Sequence, residues 1–186
     1  RRVYNSADTL IAISRYTKNE LLKTIENRNV EVINHGINIQ AFRGTFSNTG
    51  NQRENFIMSV GGLKERKGHH ISIPAFALAK QKVPGLKYKI VGDQGDIGYV
   101  SKLKSLAAEY GVTSDVEFMS WISDDDLKKL YGKAKIFVLT SVNHNHHYEG
   151  FGIVFLEAAA AGTPAIGTLG NGIEDAVKDG YNGILV

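Results

Sequence analysis

The chain has 186 residues, of which 42% are hydrophobic and 22% charged, with a net charge of +3 and a pI near 9.0. These values fit one domain, or one and a fragment, and exclude wholesale disorder and fibrous architectures. With no cysteine there is no disulfide, thiolate nucleophile or cysteine-based metal site, which suits a reducing cytosolic setting. The most apolar stretch, residues 155–161, carries Glu157 and falls well short of the roughly 20 residues that cross a bilayer, so no membrane span is expected. Lys and Arg are spread along the chain instead of forming a run; nucleic acid is therefore not an expected partner, whereas small anions would be attracted. Twenty glycines against three prolines mark many sharp turns or close approaches, as in phosphate-binding α/β proteins. The opening at Arg1 and the closing apolar run at 183–186 read as an excised piece.

In chain order, short β-branched or apolar runs alternate with amphipathic segments, the βαβ pattern. Residues 9–14 read as a strand, Thr17 and Glu20 as a capping box opening a helix to about Ile25, and 30–33 as a second strand. Residues 44–54, rich in Asn, Ser, Thr, Gly and Gln, form the linker candidate. The alternation then restarts. A strand is expected at 56–60, a helix around 69–82 and a strand at 88–91. Val100, Leu103, Leu106, Ala107 and Tyr110 then share one helical face that Gly111 ends. Further strands are expected at 116–118, 136–140, 165–168 and 183–186, with Ser123 and Asp126 as a capping pair and 151–161 as a buried helix stopped by Gly162. The implied architecture is a doubly wound parallel sheet with helices on both faces, which places ligands beyond the carboxyl ends of the strands.

Three strand-to-helix junctions carry glycine where a phosphate can bind. In Ser59-Val60-Gly61-Gly62-Leu63-Lys64-Glu65-Arg66-Lys67-Gly68 a strand opens into glycines and a cationic cluster, able to hold an anion with backbone N–H groups and ammonium together. Gly92-Asp93-Gln94-Gly95-Asp96-Ile97-Gly98 lacks the dinucleotide spacing and puts two carboxylates where a pyrophosphate would rest, so it reads as a turn capping the next helix. The third, Glu149-Gly150-Phe151-Gly152-Ile153-Val154-Phe155-Leu156-Glu157-Ala158, leads a polar loop into an apolar helix. The N–H groups of Gly152, Ile153 and Val154 would face an anion there with the favourable end of the helix dipole. Glu157 lies about 7.5 Å further along, at 1.5 Å per residue, where a ribose attached to that phosphate would sit. A carboxylate among apolar neighbours needs donors, and vicinal hydroxyls are suitable ones.

With these motifs in order, together with Gly162-Thr163-Pro164 and Asp179-Gly180, the sequence resembles the retaining GT-B glycosyltransferases known as glycosyltransferase group 1 over nearly its whole length. The Glu149 to Glu157 spacing matches that family's E-x7-E motif. The resemblance implies that residues 52–186 form the donor nucleotide-sugar lobe, truncated at its C-terminus, and residues 1–51 the end of the N-terminal lobe with its connector. By the same resemblance Lys67, Gly61, Gly62, Arg66, Gly152, Ile153 and Val154 hold the donor diphosphate. Glu157 takes the ribose, and Trp121 and Ile122 meet the base through their backbone. Glu149 faces the transferred sugar as the catalytic carboxylate. No metal is required; the donor is GDP-mannose or a UDP-hexose, and a glycan or lipid-linked acceptor binds mainly to the other lobe, in the cytoplasm or at the inner face of a membrane. Two departures stand out: Gly62 occupies the position of the family's usual Arg, and Ser120 that of a usual glycine. The loop from Ser141 to Tyr148 is long and carries His144, His146 and His147; contact with sugar or acceptor is expected of it before a metal site. Alternative readings are a nucleotide-binding module without catalysis, a phosphorylase or epimerase of the same fold, and a dehydrogenase, the last disfavoured by its missing glycine spacing.

Overall fold

The structure, a computed structural model, describes residues 2–26, 28–42, 44, 53–144 and 146–186. An N-terminal unit holds α1 (Arg2–Asn5), β1 (Leu10–Ala12), α2 (Arg15–Leu22) and β2 (Val30–Val32), with β1 and β2 parallel. The strand expected at 9–14 is shorter because Ser14 turns out to be the helix cap. Its hydroxyl accepts from the Thr17 N–H at 2.9 Å, so α2 starts before Thr17 and not at a Thr17–Glu20 box. Glu20 pairs instead with Lys23 at 2.5 Å. Most of the expected polar linker, residues 45–52, and with it the expected boundary at 51/52, lies outside the described residues.

The main body follows as β3 (Phe56–Val60), α3 (His69–Lys82), β4 (Lys87–Val91), α4 (Ile97–Glu109), β5 (Val116–Met119), α5 (Asp124–Lys133), β6 (Ile136–Leu139), α6 (Ile153–Ala160), β7 (Ala165–Gly167) and β8 (Gly183–Leu185). The strands make one six-stranded parallel sheet in the order β5-β4-β3-β6-β7-β8. Both faces are covered, which is why the strands read as continuous apolar runs. On one face Tyr131 and Phe155 of α5 and α6 pack with Met58, Phe137 and Leu139; on the other Ile73, Phe76 and Leu103 of α3 and α4 pack with Ile57, Tyr88 and Ile90. Each such buried side chain contributes about 1.5–3 kcal/mol. The expected cap pair at α5 forms, with Ser123 accepting from the Asp126 N–H at 3.1 Å, and the second glycine loop is the helix-capping turn it was read as, its cap being Asp96, which accepts from the Tyr99 N–H at 3.0 Å.

Strand order reverses between β3 and β6. Connections run outward from this pair in both directions, so the loops following β3 and β6 diverge and leave a crevice at their carboxyl ends. That crevice is where the sequence places its two strongest motifs.

Candidate functional site

The loop after β3 ends in a short 3-10 turn, Glu65–Lys67, and Gly68 opens α3. Gly68 has φ +69°, and a Cβ there would sit 1.7 Å from the Thr140 carbonyl oxygen, so only glycine permits the turn. Thr140 closes the approach from the other side, donating its hydroxyl to the Gly68 carbonyl at 2.7 Å, and the Val142 N–H donates to the Arg66 carbonyl at 2.9 Å. The loops after β3 and β6 are thereby laced together at the switch point.

That lacing brings distant residues into one cluster. The Lys67 ammonium lies 2.5 Å from Oε2 of Glu149, and the Arg66 guanidinium donates to the same oxygen at 3.2 Å. Lys67 and Glu149 are both buried, where a lone charge is costly, so each requires the other in the absence of a further ligand. Beyond Glu149 the chain reaches Gly152, with φ +84°, where a Cβ would meet the Phe155 ring at 2.8 Å. This left-handed residue is the N-cap of α6, so the helix starts at Ile153 and not at 151 as the apolar run suggested. The N–H groups of Gly152, Ile153 and Val154 have no hydrogen-bond acceptor among the described residues. They open, with Lys67, Glu149, Gly150 and Phe151, onto a hollow of about 260 Å³. Lys67 and the positive end of a helix thus converge on a concave surface, an arrangement suited to an anion such as a diphosphate, while Arg66 reaches the shared Glu149 oxygen from a neighbouring hollow that it lines with Lys64, Glu65, His144 and His147.

The hollow has two further walls that the sequence reading missed, Ile13 and His35. They follow β1 and β2, whose carboxyl ends point the same way because the strands are parallel; that direction was the available signal. Ile13 rests on Gly150, where a Cβ would lie 3.0 Å from its Cδ1, and His35 packs edge-on to Phe151 at 5.7 Å. The remaining predicted residues are not among the walls. Gly61 underlies the Lys67 stem, and Gly62 has open space, its nearest would-be neighbours 3.9 Å away on Asp93 and Lys64. Trp121 and Ile122 follow β5 at the sheet edge, and Trp121 is 83% exposed. Glu157 lies one turn inside α6, half-buried, with its Oε2 receiving the Tyr131 hydroxyl at 2.8 Å. Tyr131 had not been singled out.

The histidine loop forms a tight reversal in which His144 and His147 exchange backbone hydrogen bonds of 2.8 Å in each direction. Asn143 donates to the Tyr16 hydroxyl at 2.9 Å, and the Tyr16 and Tyr148 rings meet edge to face at 5.0 Å. Between this loop and α2 lies a larger hollow of about 620 Å³. Among the described residues no group of three or more His, Asp or Glu side chains is arranged to hold a metal ion, and no helix is long and apolar enough to cross a membrane.

Known proteins share this architecture. Aligned over its full length, the chain is 27% identical to the GDP-mannose-dependent alpha-(1-6)-phosphatidylinositol monomannoside mannosyltransferase of Mycolicibacterium smegmatis and 30% identical to the D-inositol 3-phosphate glycosyltransferase of Acidothermus cellulolyticus. It spans about half the length of these curated relatives, 50% and 45%. The crystal structure of Anabaena HepE in complex with UDP and glucose superposes with a TM-score of 0.81 at 25% identity, covering the whole of this chain and 52% of that one. The α/β architecture with its six-stranded parallel sheet matches the C-terminal domains of GT-B glycosyltransferases. The sequence model described as glycosyl transferases group 1 matches residues 44–186, and to that family the chain belongs.

Proposed function

We propose that this chain is the donor-binding part of a retaining glycosyltransferase that moves a hexose from a nucleoside-diphosphate sugar to a glycan or lipid-linked acceptor. Residues 52–186 act as the donor lobe, and residues 1–51 as the end of the acceptor lobe with its connector. The observation that carries this reading is the convergence of Lys67 and Arg66 on Glu149 beside the unpartnered N–H groups at the start of α6.

In this reading an incoming diphosphate takes over Lys67, Arg66 and the N–H groups of Gly152, Ile153 and Val154, and Glu149 is released to face the sugar. As the bond from the anomeric carbon to the diphosphate oxygen breaks, the cations and the helix start neutralise the leaving group, while the Glu149 carboxylate stabilises the positive charge on the sugar. The acceptor oxygen bonds to the anomeric carbon on the face being vacated, its proton passes to the departing diphosphate, and configuration is retained. Glu157 holds the ribose, and the backbone at Trp121 and Ile122 meets the base. A GDP-linked mannose is the first donor proposed, supported by the name of the mycobacterial relative; a UDP-hexose is the second, supported by the ligands of the Anabaena structure. The hollow between Tyr16, Tyr148 and the histidine loop lies on the acceptor side. The setting proposed is cytoplasmic, at the inner face of a membrane.

The test is a panel of GDP- and UDP-sugars offered to the full-length protein, following nucleoside diphosphate release with and without acceptor. Release with at least one donor is expected, whereas these 186 residues alone should bind the nucleotide without transferring sugar. Binding without release by the full-length protein would replace the enzyme with a nucleotide-binding module, and binding of a nicotinamide dinucleotide in its place would replace it with a dehydrogenase.

A further inference from the structure

We infer that Tyr131 is a positioning residue for sugar recognition: its hydroxyl holds the Glu157 carboxylate so that the site selects ribonucleotides over 2′-deoxyribonucleotides. This rests on the reading of Glu157 as the ribose ligand and adds to it the residue that makes that carboxylate selective.

Tyr131 lies on α5 and is wholly buried, its ring flanked by Phe137 at 5.7 Å and Phe42 at 6.5 Å. Its backbone carbonyl accepts the Thr163 hydroxyl at 2.6 Å. Arg53 donates to the Thr163 oxygen at 2.8 Å and to the Ala134 and Gly162 carbonyls at 2.7 and 2.5 Å. Ring and backbone are both fixed, so the hydroxyl has one place to go, which is Oε2 of Glu157 at 2.8 Å. Oε1 of Glu157 has no partner among the described residues. A half-buried glutamate on a helix otherwise samples several rotamers, and ordering it on ligand binding costs entropy. Tyr131 meets that cost in the folded protein and leaves Oε1, with the spare lone pairs of Oε2, as acceptors for two adjacent hydroxyls. A sugar lacking the 2′-hydroxyl leaves part of this pre-oriented carboxylate unpaired, which is how buried polar sites discriminate. Burial and the Glu157 charge raise the Tyr131 phenol well above its ordinary range, so it remains a donor at physiological pH.

The experiment titrates GDP and UDP, and their 2′-deoxy counterparts, into the intact protein as wild type, Tyr131→Phe and Glu157→Gln. The wild type should prefer the ribonucleotide by at least about tenfold, the scale of a hydrogen bond to a charged group. Glu157→Gln should lose most of that preference, and Tyr131→Phe, which keeps the ring, should lose at least about half of it on a logarithmic scale. A full ribonucleotide preference in Tyr131→Phe, even with a lowered Tm, would make Tyr131 merely structural and overturn the inference. An unchanged preference in Glu157→Gln would overturn it differently, by removing the ribose from Glu157. Independently of any variant, the ring resonances of Tyr131 in the wild type should move more on adding the ribonucleotide than the deoxyribonucleotide; equal shifts would also sink the idea.

Discussion

Lys67 and Glu149 are separated by 82 positions and become a buried ion pair only because the loops after β3 and β6 are laced together. The chemistry of each residue could be read from its own motif, since a cation after a strand and a carboxylate before a helix are local signals. Their pairing could not, because it depends on strand order. It alters what a substitution at Glu149 should do. On the proposed function Glu149→Gln removes the charge that would compete with a diphosphate for Lys67 and Arg66, so nucleoside diphosphate affinity should rise, by up to about tenfold or about 1.4 kcal/mol. It also leaves Lys67 buried with a weaker partner and should lower stability by up to about 3 kcal/mol. In the proposed full-length enzyme kcat should fall by roughly 10² to 10³, the scale of losing one electrostatic contact in the transition state. Calorimetric titration, thermal unfolding and donor kinetics of this one variant measure all three; a loss of diphosphate affinity would show that Glu149 helps to hold the phosphate and does not compete with it. Tyr131 was invisible for a related reason: a tyrosine in an amphipathic helix looks like core, and only its partner on another helix gives its hydroxyl a role.

At the scale of elements, the strands and main-body helices were largely legible because a parallel sheet buried on both faces demands long apolar runs and clean helical faces. The misjudged boundaries fell where one side chain or one glycine overrides the periodicity. Ser14 caps α2 three residues ahead of the expected start, and left-handed Gly152 delays α6 until after Phe151. The first turn of α3 carries another consequence that composition cannot reveal. His69 is fully buried, and neither ring nitrogen has a hydrogen-bond partner among the described residues. Burial foremost, then the charges of Lys67 and His70, push its imidazole down to about 3. The unfolded chain takes up a proton near pH 6.5 while the folded one stays neutral, so stability is full above about pH 6.5 and falls below it at up to about 1.4 kcal/mol per pH unit. By pH 5 the loss from this group should reach about 2 kcal/mol. Denaturant unfolding at pH 7.5 and pH 5 should show a difference smaller by that amount in His69→Leu; identical pH dependence in variant and wild type would mean that His69 is not held neutral by the fold.

For the whole molecule, the reversal of strand order between β3 and β6 makes the crevice, and Lys67 and the start of α6 line one hollow there. The N-terminal unit closes one side. Asp175 accepts from the Arg15 backbone N–H at 2.9 Å, the Arg15 side chain at 2.8 Å and Asn34 at 3.1 Å, fixing α2 and the segment after β2 against the main body and setting Ile13 and His35 in the wall. The most direct test of a diphosphate cradle is calorimetric titration of the protein with GDP and UDP beside GMP and UMP, in wild type and Lys67→Ala. The account predicts that the wild type binds the diphosphates at least about tenfold more tightly than the monophosphates, and that Lys67→Ala loses about 1.5–3 kcal/mol for the diphosphates, closing the gap. Equal binding of mono- and diphosphates by the wild type, or a gap that survives Lys67→Ala, would contradict it.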